Sequence, residues 1–99
     1  MELVCNTSEL AGLSNKQFKV NNKPVLICLF EGNYFAFIDQ CPHAMKSLEG
    51  GKIKNGKIFC PLHGASFDLE TGDVKSPPAF RGLTKLSLEI KQEQIYVAF

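Results

Sequence analysis

The sequence predicts an all-β protein, either a sandwich or a small barrel. Short runs rich in apolar residues alternate with turn-forming pairs along most of the 99-residue chain. Three of these pairs, Asn21–Asn22, Gly32–Asn33 and Asn55–Gly56, consist of residues that tolerate the positive φ angles of tight hairpin turns. A further run, Thr84 to Lys91, alternates polar with apolar residues, as a strand with one solvated face does.

The N-terminal segment alternates in character around Cys5, whose thiol is expected to pack as a small hydrophobe. One helical turn follows in the prediction. Ser8 can cap a turn through residues 9–11, and Gly12 then ends it. The N-terminal part of the chain therefore contributes to the core and contains little helix.

Three hairpins account for most of the remaining chain. The first joins Leu26–Phe30 to Tyr34–Asp39, and its continuous apolar character predicts strands that are covered on both faces, with Cys28 in the core. The second is centred on Asn55–Gly56. The third is C-terminal, where Gln92–Glu93 turns the alternating strand back into Gln94–Val97.

Composition and charge limit what the chain can do. Its length predicts a single domain over residues 1–99. Eleven basic against ten acidic residues, scattered along the chain, argue against a nucleic-acid partner. The longest apolar run has six residues, whereas a membrane span needs roughly 20, and the N-terminus lacks a basic signal region. The expectation is a soluble cytoplasmic protein that binds neither nucleic acid nor membrane.

Two Cys/His pairs carry the chemistry. They are Cys41-Pro42-His43 and Cys60-Pro61-Leu62-His63, and they contain both histidines of the chain. Thiolate and imidazole bind borderline and soft metals, and the hairpin around Asn55–Gly56 brings the two pairs to one end of the sheet. A mononuclear zinc site and a two-iron cluster would both use these four ligands, and the spacing does not choose between them.

These four residues resemble the Cys-x-His and Cys-x-x-His pattern of the Rieske iron-sulfur proteins. The run from Cys60 to Gly72 is similar to the second cluster loop of that family, and residues 76–79, Ser-Pro-Pro-Ala, are similar to its proline loop. The resemblance implies stacked antiparallel sheets, three in number, with a cluster-binding part at about residues 40–80. It also implies one 2Fe-2S cluster held by Cys41, His43, Cys60 and His63.

The sequence departs from the respiratory and photosynthetic branch of that family. Lys46 and Leu62 stand where that branch has a disulfide, and Ala65 and Phe67 stand where it has hydroxyl donors to the cluster sulfurs. Hydrogen bonds to sulfur raise the reduction potential, so their loss predicts a value at the low end of the Rieske range of about −150 to +300 mV.

The chain therefore resembles the soluble ferredoxins, which carry one electron from an NAD(P)H-dependent flavin reductase to a terminal aromatic-ring-hydroxylating oxygenase. It is expected to be a carrier rather than an enzyme, because no histidine remains for a non-haem iron site. An apolar docking patch is predicted around the cluster, flanked by two basic side chains: Pro42, Met45, Leu62, Pro77, Pro78 and Phe80, with Lys46 and Arg81. The alternatives are the small subunit of a nitrite-reductase-type complex and a structural zinc module.

Overall fold

The computed structural model describes residues 1–40, 47–61, 65–76 and 82–99. These ranges contain ten strands and one short 3₁₀ helix, Thr7–Leu10. The strands are β1 (Glu2–Asn6), β2 (Asn15–Val20), β3 (Lys23–Phe30), β4 (Asn33–Ile38), β5 (Ile53–Lys54), β6 (Lys57–Phe59), β7 (Ser66–Asp68), β8 (Val74–Ser76), β9 (Lys85–Lys91) and β10 (Gln94–Ala98). Within the described ranges, no helix has the length and apolar content needed to cross a membrane.

The strands form two antiparallel sheets. The larger sheet has the order β1-β10-β9-β4-β3-β2, and the smaller one has the order β5-β6-β7-β8. The larger sheet consists of two halves that are paired through β4 and β9, at Ala36 opposite Leu86 and Phe37 opposite Lys85. The three sheets that the sequence resemblance implies are therefore β1-β10-β9, β4-β3-β2 and β5-β6-β7-β8, and hydrogen bonds between β9 and β4 join the first two into one larger sheet. The predicted all-β class is confirmed.

Strand β3 is covered on both faces, as its apolar run predicts. Its side chains alternate between two core clusters, with Leu26 and Cys28 in one and Val25 and Ile27 in the other. The first cluster lies against the smaller sheet through Ile58 of β6 and other residues. The second is enclosed by the larger sheet, whose edge strands β1 and β2 contact each other. The larger sheet is therefore strongly curled.

The predicted turns form with one shift. Asn21–Asn22, Asn55–Gly56 and Gln92–Glu93 are two-residue hairpin turns with positive φ at both positions. The turn predicted at Gly32–Asn33 lies one residue earlier, because Phe30 pairs with Asn33. Such a turn places glycine second, as in Asn55–Gly56, so Glu31 takes the first position with a φ of 51°.

The predicted helical turn also begins earlier than expected. The 3₁₀ helix covers residues 7–10, and its N-cap is Asn6 rather than Ser8. The carboxylate of Glu9 accepts a hydrogen bond from the Asn6 backbone N–H at 2.8 Å, which fixes the start of the helix. Leu10 is fully buried in the second core cluster, so the turn packs onto the curled sheet.

Candidate metal centre

Of the four predicted ligands, Cys60 lies within the described residues. Cys41, His43 and His63 lie outside them, and so does the whole predicted docking patch with its two flanking basic residues. The structure nevertheless describes both ends of each segment that carries these residues. Those ends determine how the segments at 41–46, 62–64 and 77–81 leave and rejoin the fold.

Cys60 directly follows β6 and is only 2% exposed. Its backbone N–H donates a hydrogen bond of 2.7 Å to the carbonyl oxygen of Ala65, one residue before β7. Phe59 and Ser66 pair next to this bond. The segment that carries His63 is therefore the connection of a β-hairpin, and its two ends are held side by side.

The first segment is closed by a carboxylate. Asp39, which directly follows β4 and is 4% exposed, accepts a hydrogen bond from the Leu48 N–H at 2.7 Å. It also accepts bonds of 2.5 Å from the Ser47 hydroxyl and from the Gln17 side-chain amide. The residues that precede and follow the segment with Cys41 and His43 are thus joined through one buried side chain.

Residues 49–51 are in turn fixed to the edge strand β2. Asn15 of β2 is 6% exposed; its side chain donates to the Gly51 carbonyl at 2.9 Å and accepts from the Gly50 N–H at 2.7 Å. The carboxylate of Glu49 accepts from the Gln17 backbone N–H at 2.6 Å. Asn15 and Gln17, two alternate residues of β2, therefore bind the residues that follow the segment at 41–46.

The third segment, 77–81, is anchored in the same way. It follows β8, where Ser76 pairs with Ser66, and it precedes Leu83, whose N–H donates to the Gly72 carbonyl at 2.7 Å. The core cluster beside the smaller sheet contains residues that lie within two positions of each of the three segments, namely Leu48, Cys60, Ala65 and Leu83. The three segments therefore originate around one apolar core.

The donor chemistry fits a metal group at this place. Cys60 is buried among apolar side chains, which would exclude water from a metal–thiolate bond. In the part of the chain that the structure describes, no three His, Cys, Asp or Glu side chains lie close enough together to hold a metal ion. The other three predicted ligands, Cys41, His43 and His63, lie in the segments at 41–46 and 62–64, outside the described residues.

The two remaining cysteines pack in the core, as predicted. Cys5 and Cys28 are 5% and 0% exposed. Burial, together with the negative charge of Glu9, raises the pKa of the Cys5 thiol to about 11. Burial and the charge of Asp39 also raise the pKa of Cys28. Both thiols are therefore neutral at neutral pH, in contrast to the thiolate that a metal requires.

The sequence pattern does not predict the structural roles of two side chains, Asp39 and Asn15. It predicts Asp39 only as the last residue of a strand and indicates no role for Asn15. The available signal was a carboxylate placed between the apolar strand β4 and Cys41, because a polar residue at such a boundary often bonds to backbone groups of the following loop. The strands β7 and β8 were also missed, since each has only three residues.

Comparison with known proteins gives consistent matches. A family model described as Rieske [2Fe-2S] domain matches residues 1–87. Apoptosis-inducing factor 3 of Homo sapiens is 31% identical over 94 residues, which make up 95% of this chain and 16% of the human protein. This chain thus spans about a sixth of that relative.

Two further matches extend over nearly all of both chains. The ferredoxin component of biphenyl 2,3-dioxygenase from Rhodococcus jostii (strain RHA1) is 30% identical over 94 residues, 95% of this chain and 88% of that protein. A chain of the solved complex of reduced oxygenase and oxidized ferredoxin in carbazole 1,9a-dioxygenase superposes with a TM-score of 0.86 at 29% identity. This superposition covers 97% of our chain and 99% of the other.

Proposed function

Because the chain belongs to the Rieske [2Fe-2S] family, we propose that Cys41, His43, Cys60 and His63 hold its one 2Fe-2S cluster. The two cysteines bind one iron and the two histidines bind the other, as in Rieske centres generally. The cluster-binding part spans about residues 40–80. The anchoring of all three segments around the core that contains Cys60 is the observation that carries this assignment.

The proposed role is that of a one-electron carrier in the cytoplasm. It takes an electron from an NAD(P)H-dependent flavin reductase and passes it to a terminal ring-hydroxylating oxygenase. Support comes from the full-length similarity to dioxygenase ferredoxin components and to a chain of an oxygenase–ferredoxin complex. A 2Fe-2S cluster held by these four residues would supply the one-electron redox chemistry of this transfer.

The side chains of this protein set the electrostatics of that step. Two thiolates and two neutral imidazoles make the oxidised core formally neutral, whereas four thiolates would leave it two charges more negative and harder to reduce. Cys60 has apolar neighbours in the core, including Leu48 and Ala65, and these side chains exclude water from its sulfur. Ala65 and Phe67 lack hydroxyls, so we expect a potential at the low end of the range for Rieske centres.

The segments at 41–46, 62–64 and 77–81 contain the proposed docking patch, and its flanking basic residues Lys46 and Arg81 would attract an acidic partner. Electron-transfer encounters are small and short-lived, typically below about 1,200 Å² of buried surface. A few apolar side chains around the imidazole-bound iron would suffice for such an encounter.

Electron paramagnetic resonance of the anaerobically purified and chemically reduced protein tests the ligand set and the redox role together. We expect a Rieske-type signal with a low average g value, and two irons and two sulfides per chain. Reoxidation by an added ring-hydroxylating oxygenase should then remove the signal. A colourless, silent protein with stoichiometric zinc would instead identify the structural zinc module and contradict the electron-carrier proposal.

The second alternative, a small subunit of a nitrite-reductase-type complex, keeps the fold and changes the partner. The same reduced sample separates the two roles. Electron transfer to an oxygenase supports the ferredoxin, whereas a protein that copurifies with a nitrite-reducing subunit and does not reduce oxygenases would support the alternative.

A further inference from the structure

We propose that Asp39 is a positioning residue for the 2Fe-2S cluster. Its hydrogen bonds keep the two ends of the segment that contains Cys41 and His43 together. This inference rests on the proposed function, because it takes those two residues as ligands. Asp39 together with its three donors, Gln17, Ser47 and Leu48, is called the Asp39 clamp below.

The clamp is formed by a carboxylate taken almost completely out of water. Burial of a charged group is costly unless hydrogen bonds replace its hydration. Asp39 is 4% exposed, and the Leu48 N–H, the Ser47 hydroxyl and the Gln17 amide all donate to it, at 2.7, 2.5 and 2.5 Å. The backbone N–H of Asp39 itself donates to the Pro24 carbonyl of β3 at 2.9 Å. The carboxylate is therefore fully engaged on a rigid strand end.

The position of the donors gives the clamp its function. Ser47 and Leu48 follow the ligand segment, whereas Asp39 precedes it, so the two hydrogen bonds tie together the two ends of an eight-residue loop, 40–47. Leu48 is fully buried in the core cluster that contains Cys60. The clamp therefore fixes the ends of the segment that contains Cys41 and His43 relative to Cys60.

Gln17 connects the clamp to the larger sheet. The Gln17 side chain donates to Asp39, and its backbone N–H donates to the Glu49 carboxylate. Asn15, two residues earlier in β2, binds Gly50 and Gly51. Strand β2 therefore supports the loop by two independent contacts. If the clamp is opened, the contact through Asn15 keeps residues 50–51 in place, so the effect should concentrate on the ligand segment.

Asp39→Asn tests the inference in the holoprotein. The substitution preserves the shape of the side chain but removes the charge and replaces one acceptor oxygen by a donor. Ser47 and Gln17 both donate to Oδ2 and Leu48 donates to Oδ1, so an amide at this position cannot accept all three bonds. We expect iron release to a chelator to become about 10- to 100-fold faster, the range typical for residues that orient metal ligands. We also expect altered g values in the reduced spectrum.

Glu9→Gln is the control. The carboxylate of Glu9 also caps a backbone N–H group, that of Asn6 at 2.8 Å, but it lies in the 3₁₀ helix beside the second core cluster, outside the cluster-binding part. A merely structural carboxylate would lower the melting temperature without changing the spectrum. Equal iron release and equal spectra for Asp39→Asn and the wild type, or equal changes in both variants, would overturn the inference.

Two further variants complete the test. Combining Asp39→Asn with Gln17→Glu reverses the direction of one hydrogen bond and restores the charge, so it should recover most of the wild-type retention of iron. If Asp39→Asn does not fold, Gln17→Leu removes a single donor, and unchanged iron release in that variant would count against the clamp. A wild-type protein that holds zinc contradicts the proposed function, and zinc release in the same variants then decides on the clamp.

Discussion

Ala65 is the residue at which the smallest change should alter the redox chemistry. Its side chain is fully buried beside Cys60, and its carbonyl accepts the Cys60 N–H. In Ala65→Ser the new hydroxyl must find an acceptor, and a cluster sulfur is the expected one. A bond that is stronger by about 1 kcal/mol in the reduced state raises the midpoint potential by roughly 40 mV.

Protein-film voltammetry measures this shift, and Ala36→Ser is its control. Ala36 is equally buried but belongs to the second core cluster, so its substitution should leave the potential unchanged. Phe67→Tyr, at the other position that lacks a hydroxyl, is expected to raise the potential in the same direction. Unchanged or lower potentials in both Ala65→Ser and Phe67→Tyr, with intact clusters, would refute the account.

At the scale of elements, Gly51 shows how tightly the end of β6 fits against residues 48–51, which follow the segment at 41–46. A Cβ on Gly51 would overlap the carbonyl oxygen of Phe59 and lie 3.0 Å from that of Leu48. Both atoms are backbone, and the Phe59 carbonyl cannot move without displacing β6, at whose end Cys60 stands. The close packing of residues 48–51 against the end of β6 therefore requires glycine at position 51.

We predict that Gly51→Ala lowers the free energy of unfolding by about 2 kcal/mol or more, the cost of overpacking a well-ordered interior. Chemical denaturation of the holoprotein measures it. Gly32→Asn serves as the control, because nothing lies within 4 Å of its added Cβ and asparagine tolerates the φ of 78° at this turn. A Gly51→Ala variant as stable as the control would show that the segment can shift without cost.

The elements differ in how far they can be predicted from sequence. The hairpin turns are predictable because residues such as Asn55 and Gly56 specify them locally, and the misplacement at Gly32 amounts to one residue. The strands β7 and β8 are too short to show an alternating pattern. The attachment of residues 47–51 to β2 depends on Asn15, 35 residues earlier in the chain, and no local pattern reports such a contact.

The candidate site shows the same division. The residue types and spacing of Cys41, His43, Cys60 and His63 are visible in the sequence because metal chemistry restricts the choice of ligand. The support provided by Asp39 is not visible in the same way. Any acceptor at the end of β4 satisfies the sequence pattern, and only the folded chain shows which donors reach it.

At the scale of the whole molecule, we expect the part of the fold around the smaller sheet to be less stable than the part that the larger sheet encloses. The smaller sheet has strands of only two or three residues, which are marginal on their own, and its core contains Cys60. The second cluster is enclosed by longer strands of the larger sheet, and among the described residues it does not contain the proposed ligand Cys60. The bound metal should therefore stabilise one half of the molecule more than the other.

Hydrogen exchange on holo and metal-free protein measures this difference. After removal of the metal, we expect amides of β6 and β7 to exchange at least about tenfold faster, while amides of β3 and β10 keep most of their protection. Equal acceleration in both sheets would mean that the domain unfolds as one cooperative unit and would contradict the division.

The pairing of β1 with β10 places Glu2 directly opposite Val97. The chain therefore enters and leaves the domain at neighbouring points of one sheet. Units with this geometry can be inserted into a loop of another protein, or have their ends joined and new ones opened elsewhere, without rearranging the interior. The fold is in this sense portable, because attachment to a larger chain requires little more than two short connecting peptides.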